Sequence, residues 1–165
     1  MKKILFLLFA AAAFAACNDD GEPKVRYATT NDGIENGYLQ GANLHFYGTS
    51  TVTDSKGETF TDPEAWFEFA GGPESFSLYM HKTRFAANMP GVEMRLQTVT
   101  YTPKGDKSLN FVREEIIPSA LKENNEGGVA SYQPVERYKI TNLTGAIDGV
   151  DCRVSFTCAG VFQVI

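Results

Sequence analysis

The chain has 165 residues, of which 43% are hydrophobic and 12% aromatic, and its 20 acidic against 15 basic side chains leave a net charge of −5. That length suits one domain with a real core. The acidic balance sets nucleic acid aside as a partner, because affinity for it comes largely from basic side chains that neutralise phosphates.

Met1-Lys2-Lys3 is a short positive segment, residues 4–13 are apolar, and Phe14-Ala15-Ala16-Cys17 reads as the processing box of a bacterial lipoprotein. Ala15 and Ala16 are small enough for a signal peptidase, and Cys17 supplies the thiol that becomes a lipid thioether. Residues 1–16 are then a cleaved signal, and loss of Lys2 and Lys3 takes the net charge from −5 to −7. Phe14 stands where Leu is usual, which leaves a secretory signal cleaved without lipidation as the other reading. An apolar run of about 13 residues is too short for a spanning helix, which needs roughly 20. The expected address is the outer membrane, lipid-anchored, facing the periplasm or the cell surface.

Residues 17–36 are polar, acidic and Gly-rich, and they predict a flexible tether from the lipid to a folded domain over 37–165. The pair Asp19-Asp20 directly behind the cysteine resembles lipoproteins of the Bacteroidetes, in which an acidic stretch there accompanies export to the outer face of the outer membrane. A plain solvated linker is the alternative.

From residue 37 the pattern is β. Residues 38–52 hold the alternating Leu44-His45-Phe46-Tyr47 and end at Asp54-Ser55-Lys56-Gly57, a hairpin turn. Residues 59–69 carry Trp66-Phe67-Glu68-Phe69 after Pro63, with the strand proper expected from Glu64. Residues 75–87 place Phe76, Leu78 and Met80 on one face and Ser77, Tyr79 and His81 on the other. The phase then slips, which predicts a bulge near Lys82-Thr83. Residues 92–101 alternate again, with Met94 and Leu96 opposite Arg95 and Gln97, and 108–113 form a shorter strand. Residues 114–136 read as a loop or helical turn on the sheet. Residues 138–147 and 152–165 finish the chain as a hairpin around Asp148-Gly149.

The last segment alternates throughout, so it predicts one long strand bending at Gly160. Six residues along it separate Cys152 from Cys158 by roughly 20 Å, whereas a disulfide spans about 4.4 to 6.8 Å between Cα atoms. Two free, buried thiols follow. Eight strands, no helix of any length and frequent turns leave a sandwich or a barrel. Strand length and hairpin order favour the barrel: an all-β, eight-stranded antiparallel up-and-down fold.

The run Ser75-Phe76-Ser77-Leu78-Tyr79-Met80-His81-Lys82-Thr83-Arg84-Phe85-Ala86, then Met89-Pro90, and Thr141-Asn142-Leu143-Thr144-Gly145 before the last strand, resemble the calycin-like (lipocalin-like) β-barrel lipoproteins of gut Bacteroidetes. The resemblance spans roughly residues 37–165. It implies an eight-stranded barrel described as lipid-binding, and it transfers no catalytic residue.

No hydrolase or phosphate-binding motif is present, and no cofactor is implied. His45 and His81 lie on polar strand faces with no ligand partner at short spacing, so no metal site is expected. Glu64 and Glu68 read as surface charges rather than a glycosidase pair. Phe76, Leu78, Met80, Met94, Leu96, Phe156 and Phe162 form the apolar set of the interior. They either fill it or line a cavity for a lipophilic small molecule, Met80 and Met94 giving an adaptable wall. The first function expected is therefore a non-enzymatic, membrane-anchored barrel that binds a small hydrophobic ligand. The second is a cell-surface module that meets a glycan or partner protein through Tyr47, Trp66 and Tyr79.

Overall fold

The computed structural model describes residues 27–123 and 128–165. The signal, the lipidation site Cys17 and the first part of the expected tether lie outside the described residues. The elements in chain order are β1 (Tyr27–Ala28), α1 (Thr30–Gly33), β2 (Ile34–Glu35), β3 (Tyr38–Leu39), β4 (Asn43–Tyr47), β5 (Ser50–Thr53), β6 (Thr59–Asp62) and β7 (Trp66–Gly71). They continue with β8 (Ser75–Thr83), β9 (Val92–Gly105), β10 (Ser108–Ile116), β11 (Ser119–Lys122), β12 (Ser131–Pro134), a 3-10 turn (Glu136–Tyr138), β13 (Ile140–Asp148), β14 (Asp151–Cys158) and β15 (Phe162–Val164).

The protein is all-β. Thirteen of the strands form one curled sheet in the order β1-β4-β7-β8-β9-β10-β13-β14-β15-β5-β6, with the β11–β12 hairpin attached through β9. Hydrogen-bond breaks thus divide the sheet more finely than the eight strands expected. The β1–β4 pair is parallel, so the sheet is not wholly antiparallel.

Alternation along each strand sends one row of side chains to the concave face. Leu44, Phe69, Phe76, Leu78, Met80, Met94, Leu96, Leu109, Phe111 and Phe156 are all buried there. At the centre the rings of Phe69, Phe76 and Phe111 lie 5.1 to 5.8 Å apart in tilted and edge-to-face contacts, the arrangement that ring quadrupoles favour. Phe111 reaches this position because Gly145, its register partner on β13, has no side chain. A Cβ at Gly145 would overlap the Phe111 ring.

Four differences from the sequence reading have plain causes. Residues 27–36 belong to the folded domain rather than to a tether: they hold β1, α1 and β2, and Ile34 is fully buried together with Leu39. The β2–β3 ribbon that carries them seals one end of the curl. Asn36 N and Gly37 N donate to Asp106, Lys107 Nζ donates to Ile34 O, and Tyr101 Oη accepts from Leu39 N at 2.9 Å while donating to Gly72 O at 2.9 Å. Secondly, 152–165 is a hairpin and not one strand: Ala159 and Gly160 take left-handed φ of 55° and 70°, which reverses the chain and pairs Cys158 with Phe162. Thirdly, the part read as loop contains the β11–β12 hairpin, whose β11 takes up the edge of β9 at Met94 and Arg95. Fourthly, a single helical turn, α1, is present where no helix was expected. The bulge near Lys82 is as expected: its φ is 53° and the β8–β9 register shifts between Met80 and Thr83.

One ion pair is set deep. Asp62, fully buried, accepts from Arg84 Nη2 at 2.6 Å, Arg84 Nε at 3.0 Å and Glu64 N at 3.0 Å, tying the end of β6 to the segment after β8.

Two predictions follow from this packing. Gly145→Val should destabilise the fold by about 1–3 kcal/mol through overpacking. Denaturant unfolding should show part of that loss restored when Phe111→Leu is added, and purely additive losses would contradict the contact. For Asp62, the Arg84 hydrogen bonds hold the carboxyl below its ordinary value. A lowered folded pKa stabilises the protein above the unfolded pKa, near 3.9, and that contribution is lost as pH falls through the folded value. The unfolding midpoint should decline through this acid range, and Asp62→Asn should flatten the decline.

Candidate functional site

A pocket of about 820 Å³ lies between the β4–β5 run and β14. It exists because backbone pairing stops short on both borders. β15 pairs with β14 only from Phe156 to Cys158, so residues 151–155 pair with β13 alone among the described residues. On the other border β1 covers only Asn43 and Leu44, leaving residues 45–47 paired with β7 alone among the described residues. Gly48 and Thr49 interrupt the strand at this point, and both line the pocket.

The walls change character with depth. Phe46, Phe67 and Val154 belong to the concave apolar row and reach the pocket from inside, together with the half-buried Cys152. Asn110, Thr144 and Arg153 are exposed and form a polar rim. An apolar throat with a few polar groups at its mouth is the usual chemistry of a small-molecule site.

None of the seven residues expected to line an interior cavity touches this pocket. Phe76, Leu78, Met80, Met94, Leu96 and Phe156 are at most 3% exposed and fill the core, and Phe162 is half-buried against it, its ring 5.8 Å from that of Phe85. The open space lies instead beside Phe46, Phe67 and Val154, which the sequence reading did not single out. Gly48, inside an otherwise continuous β pattern, was the one local sign of an interrupted strand.

On the convex face the expected surface aromatics do come together. Trp66 stacks on His81, with centroids 3.7 Å apart, and on Tyr47 at 5.2 Å. Tyr47 and His81 are its register partners on opposite neighbouring strands, so the two flanking rings cover opposite faces of the indole. Tyr47 is 72% exposed, whereas Trp66 and Tyr79 are half-buried. Further along the sheet Arg95 lies over Tyr132 at 4.7 Å and Tyr79 at 6.0 Å.

The histidines are not isolated, which corrects the sequence reading. His81 Nδ1 stands 2.5 Å from Glu93 Oε2 and its Nε2 3.2 Å from Glu68 Oε2. His45 Nε2 lies 3.7 Å from the same Glu68 oxygen, and Asn43 donates to the other. Sheet register brings Glu68 opposite His45, and the fold of β9 onto β8 brings Glu93 beside His81. Even so, no group of three or more His, Cys, Asp or Glu is arranged to hold a metal ion among the described residues.

Cys152 and Cys158 are free thiols, as their spacing along β14 requires. Burial pushes both up to about 12, and Cys158 Sγ donates toward Tyr138 O at 3.5 Å. In a Cys17→Ser chain, a disulfide reagent at pH 8 should therefore modify the two native thiols on the order of a hundredfold more slowly than a small free thiol. Denaturant should release both. Rapid reaction of Cys152 in the native protein would mean that the pocket wall is better solvated than its burial implies.

Comparison with models of protein families, with curated proteins and with solved structures finds no match.

Proposed function

We propose that the protein is a non-enzymatic binding protein, held at the outer membrane by lipid on Cys17, that takes a small hydrophobic molecule through the opening between β4 and β14. The observation that carries this reading is the pocket itself: about 820 Å³, the size of a small-molecule site, with Phe46, Phe67 and Val154 inside and polar groups at the rim.

The connectivity is consistent with a calycin-like barrel. If β4 with β5 and β6 with β7 each count as one bent strand, the sheet reduces to eight antiparallel strands in meander order, and β15 returns to lie beside β5. On this reading the opening is a lateral entrance to the barrel. The convex aromatics support the alternative, a surface module for a glycan or protein, less well, because Tyr47 and His81 already cover the faces of Trp66 on which a sugar would stack.

Native mass spectrometry of the protein taken from its own membranes should detect a bound lipophile. An environment-sensitive naphthalene dye should bind the emptied protein, and Val154→Arg should weaken it at least tenfold while Tyr79→Ala, away from the pocket, leaves it unchanged. Cys17→Ser should move the protein out of the membrane fraction. A bare protein that takes up no dye would end the small-ligand reading.

A further inference from the structure

The same opening is a gap in backbone pairing, and this carries an inference that goes beyond the small-ligand reading and stands without it. In an antiparallel sheet every second residue aims its N–H and C=O at one neighbouring strand and the rest at the other. Residues 151–155 of β14 have β13 on one side and no strand on the other among the described residues. Residues 45–47 of β4 have β7 on one side and likewise no strand on the side facing the gap. Two rows of unpaired donors and acceptors therefore border one space, and a peptide strand is the ligand that satisfies both at once.

β15 marks the line such a strand would follow. It sits between β14 and β5, and Ile165 and Thr51 exchange both backbone hydrogen bonds, at 2.9 and 2.7 Å, where the pocket begins. The borders also specify alternation in the occupant. Inward positions meet Phe46, Phe67 and Val154, which select apolar side chains. Outward positions pass Asp151, Arg153 and Ser155; Arg153 is exposed and makes no ion pair among the described residues, so the position facing it selects an acidic side chain, whereas Asp151 disfavours a second one beside it.

We propose that the gap takes an extended segment of a partner protein, apolar at alternate positions and acidic at the outward position facing Arg153, added as a strand between β4 and β14 in line with β15.

Hydrogen exchange at single-amide resolution on the detergent-solubilised lipoprotein tests this, alone and with a capped seven-residue peptide that alternates valine with serine and carries one central glutamate in place of serine. In the free protein the gap-facing amides of residues 45–47 and 151–155 should exchange at least tenfold faster than those of β13. The peptide should slow them at least tenfold. Arg153→Glu should lower its affinity at least fivefold, and a version with lysine in place of glutamate should then bind better. Gap-facing amides already protected in the free protein would overturn the proposal, as would absence of binding or binding without their protection. Dye binding on the same samples separates the two readings. Dye uptake without strand protection removes only this inference, and strand protection without dye uptake removes only the small-ligand function.

Discussion

The contact of Phe69, Phe76 and Phe111 at the centre of the concave face organises the rest of the molecule. Each ring buries on the order of 150–250 Å², and the β7–β8 hairpin that carries Phe69 and Phe76 must curl toward β10, beyond β9, for the rings to meet Phe111. Gly145 is the concession that makes this possible, since any side chain there would occupy the space of Phe111. With the centre filled in this way, the Leu and Met residues around it become packing rather than cavity wall. The open pocket lies instead where the sheet is interrupted.

That interruption is one of backbone pairing, not of side-chain pattern. β14 keeps its alternation from Asp151 to Cys158, with Val154, Phe156 and Cys158 all buried. Its second neighbour nevertheless covers only the last three residues. Opposite it, the chain breaks at Gly48 and Thr49 between β4 and β5. The two incomplete borders produce a pocket that reaches from exposed Arg153 to the half-buried Phe46 and Phe67. The opposite arrangement holds where the β2–β3 ribbon seals the curl, because there Tyr101, Asp106 and Lys107 satisfy the ribbon's backbone groups.

On the convex face, rings and carboxylates satisfy one another. Trp66 lies between Tyr47 and His81, His81 lies between Glu68 and Glu93, and Arg95 lies over Tyr79 and Tyr132. Cross-strand pairs of this kind stabilise a sheet by roughly 0.2–1 kcal/mol each. With Tyr47 and His81 stacked on it, Trp66 acts as a strut of the outer surface more than as an open platform.

Period-two alternation is a local property, and what depended on it alone was legible in the chain. The all-β class, the inward rows of β8, β9 and β14, the bulge at Lys82 and the unpaired state of Cys152 and Cys158 all follow from residues within a few positions of one another. What depended on which strand meets which was not legible. Glu93 beside His81, Phe111 under Gly145, Ile34 and Leu39 as the seal, and the turn at Ala159-Gly160 inside an unbroken alternation each require knowledge of the neighbour across the sheet. So does the pocket. The amino-acid order specifies the face on which each side chain stands, because successive Cβ atoms alternate by geometry. Only tertiary pairing decides where a strand loses its partner, because backbone hydrogen bonds between strands carry no side-chain signature.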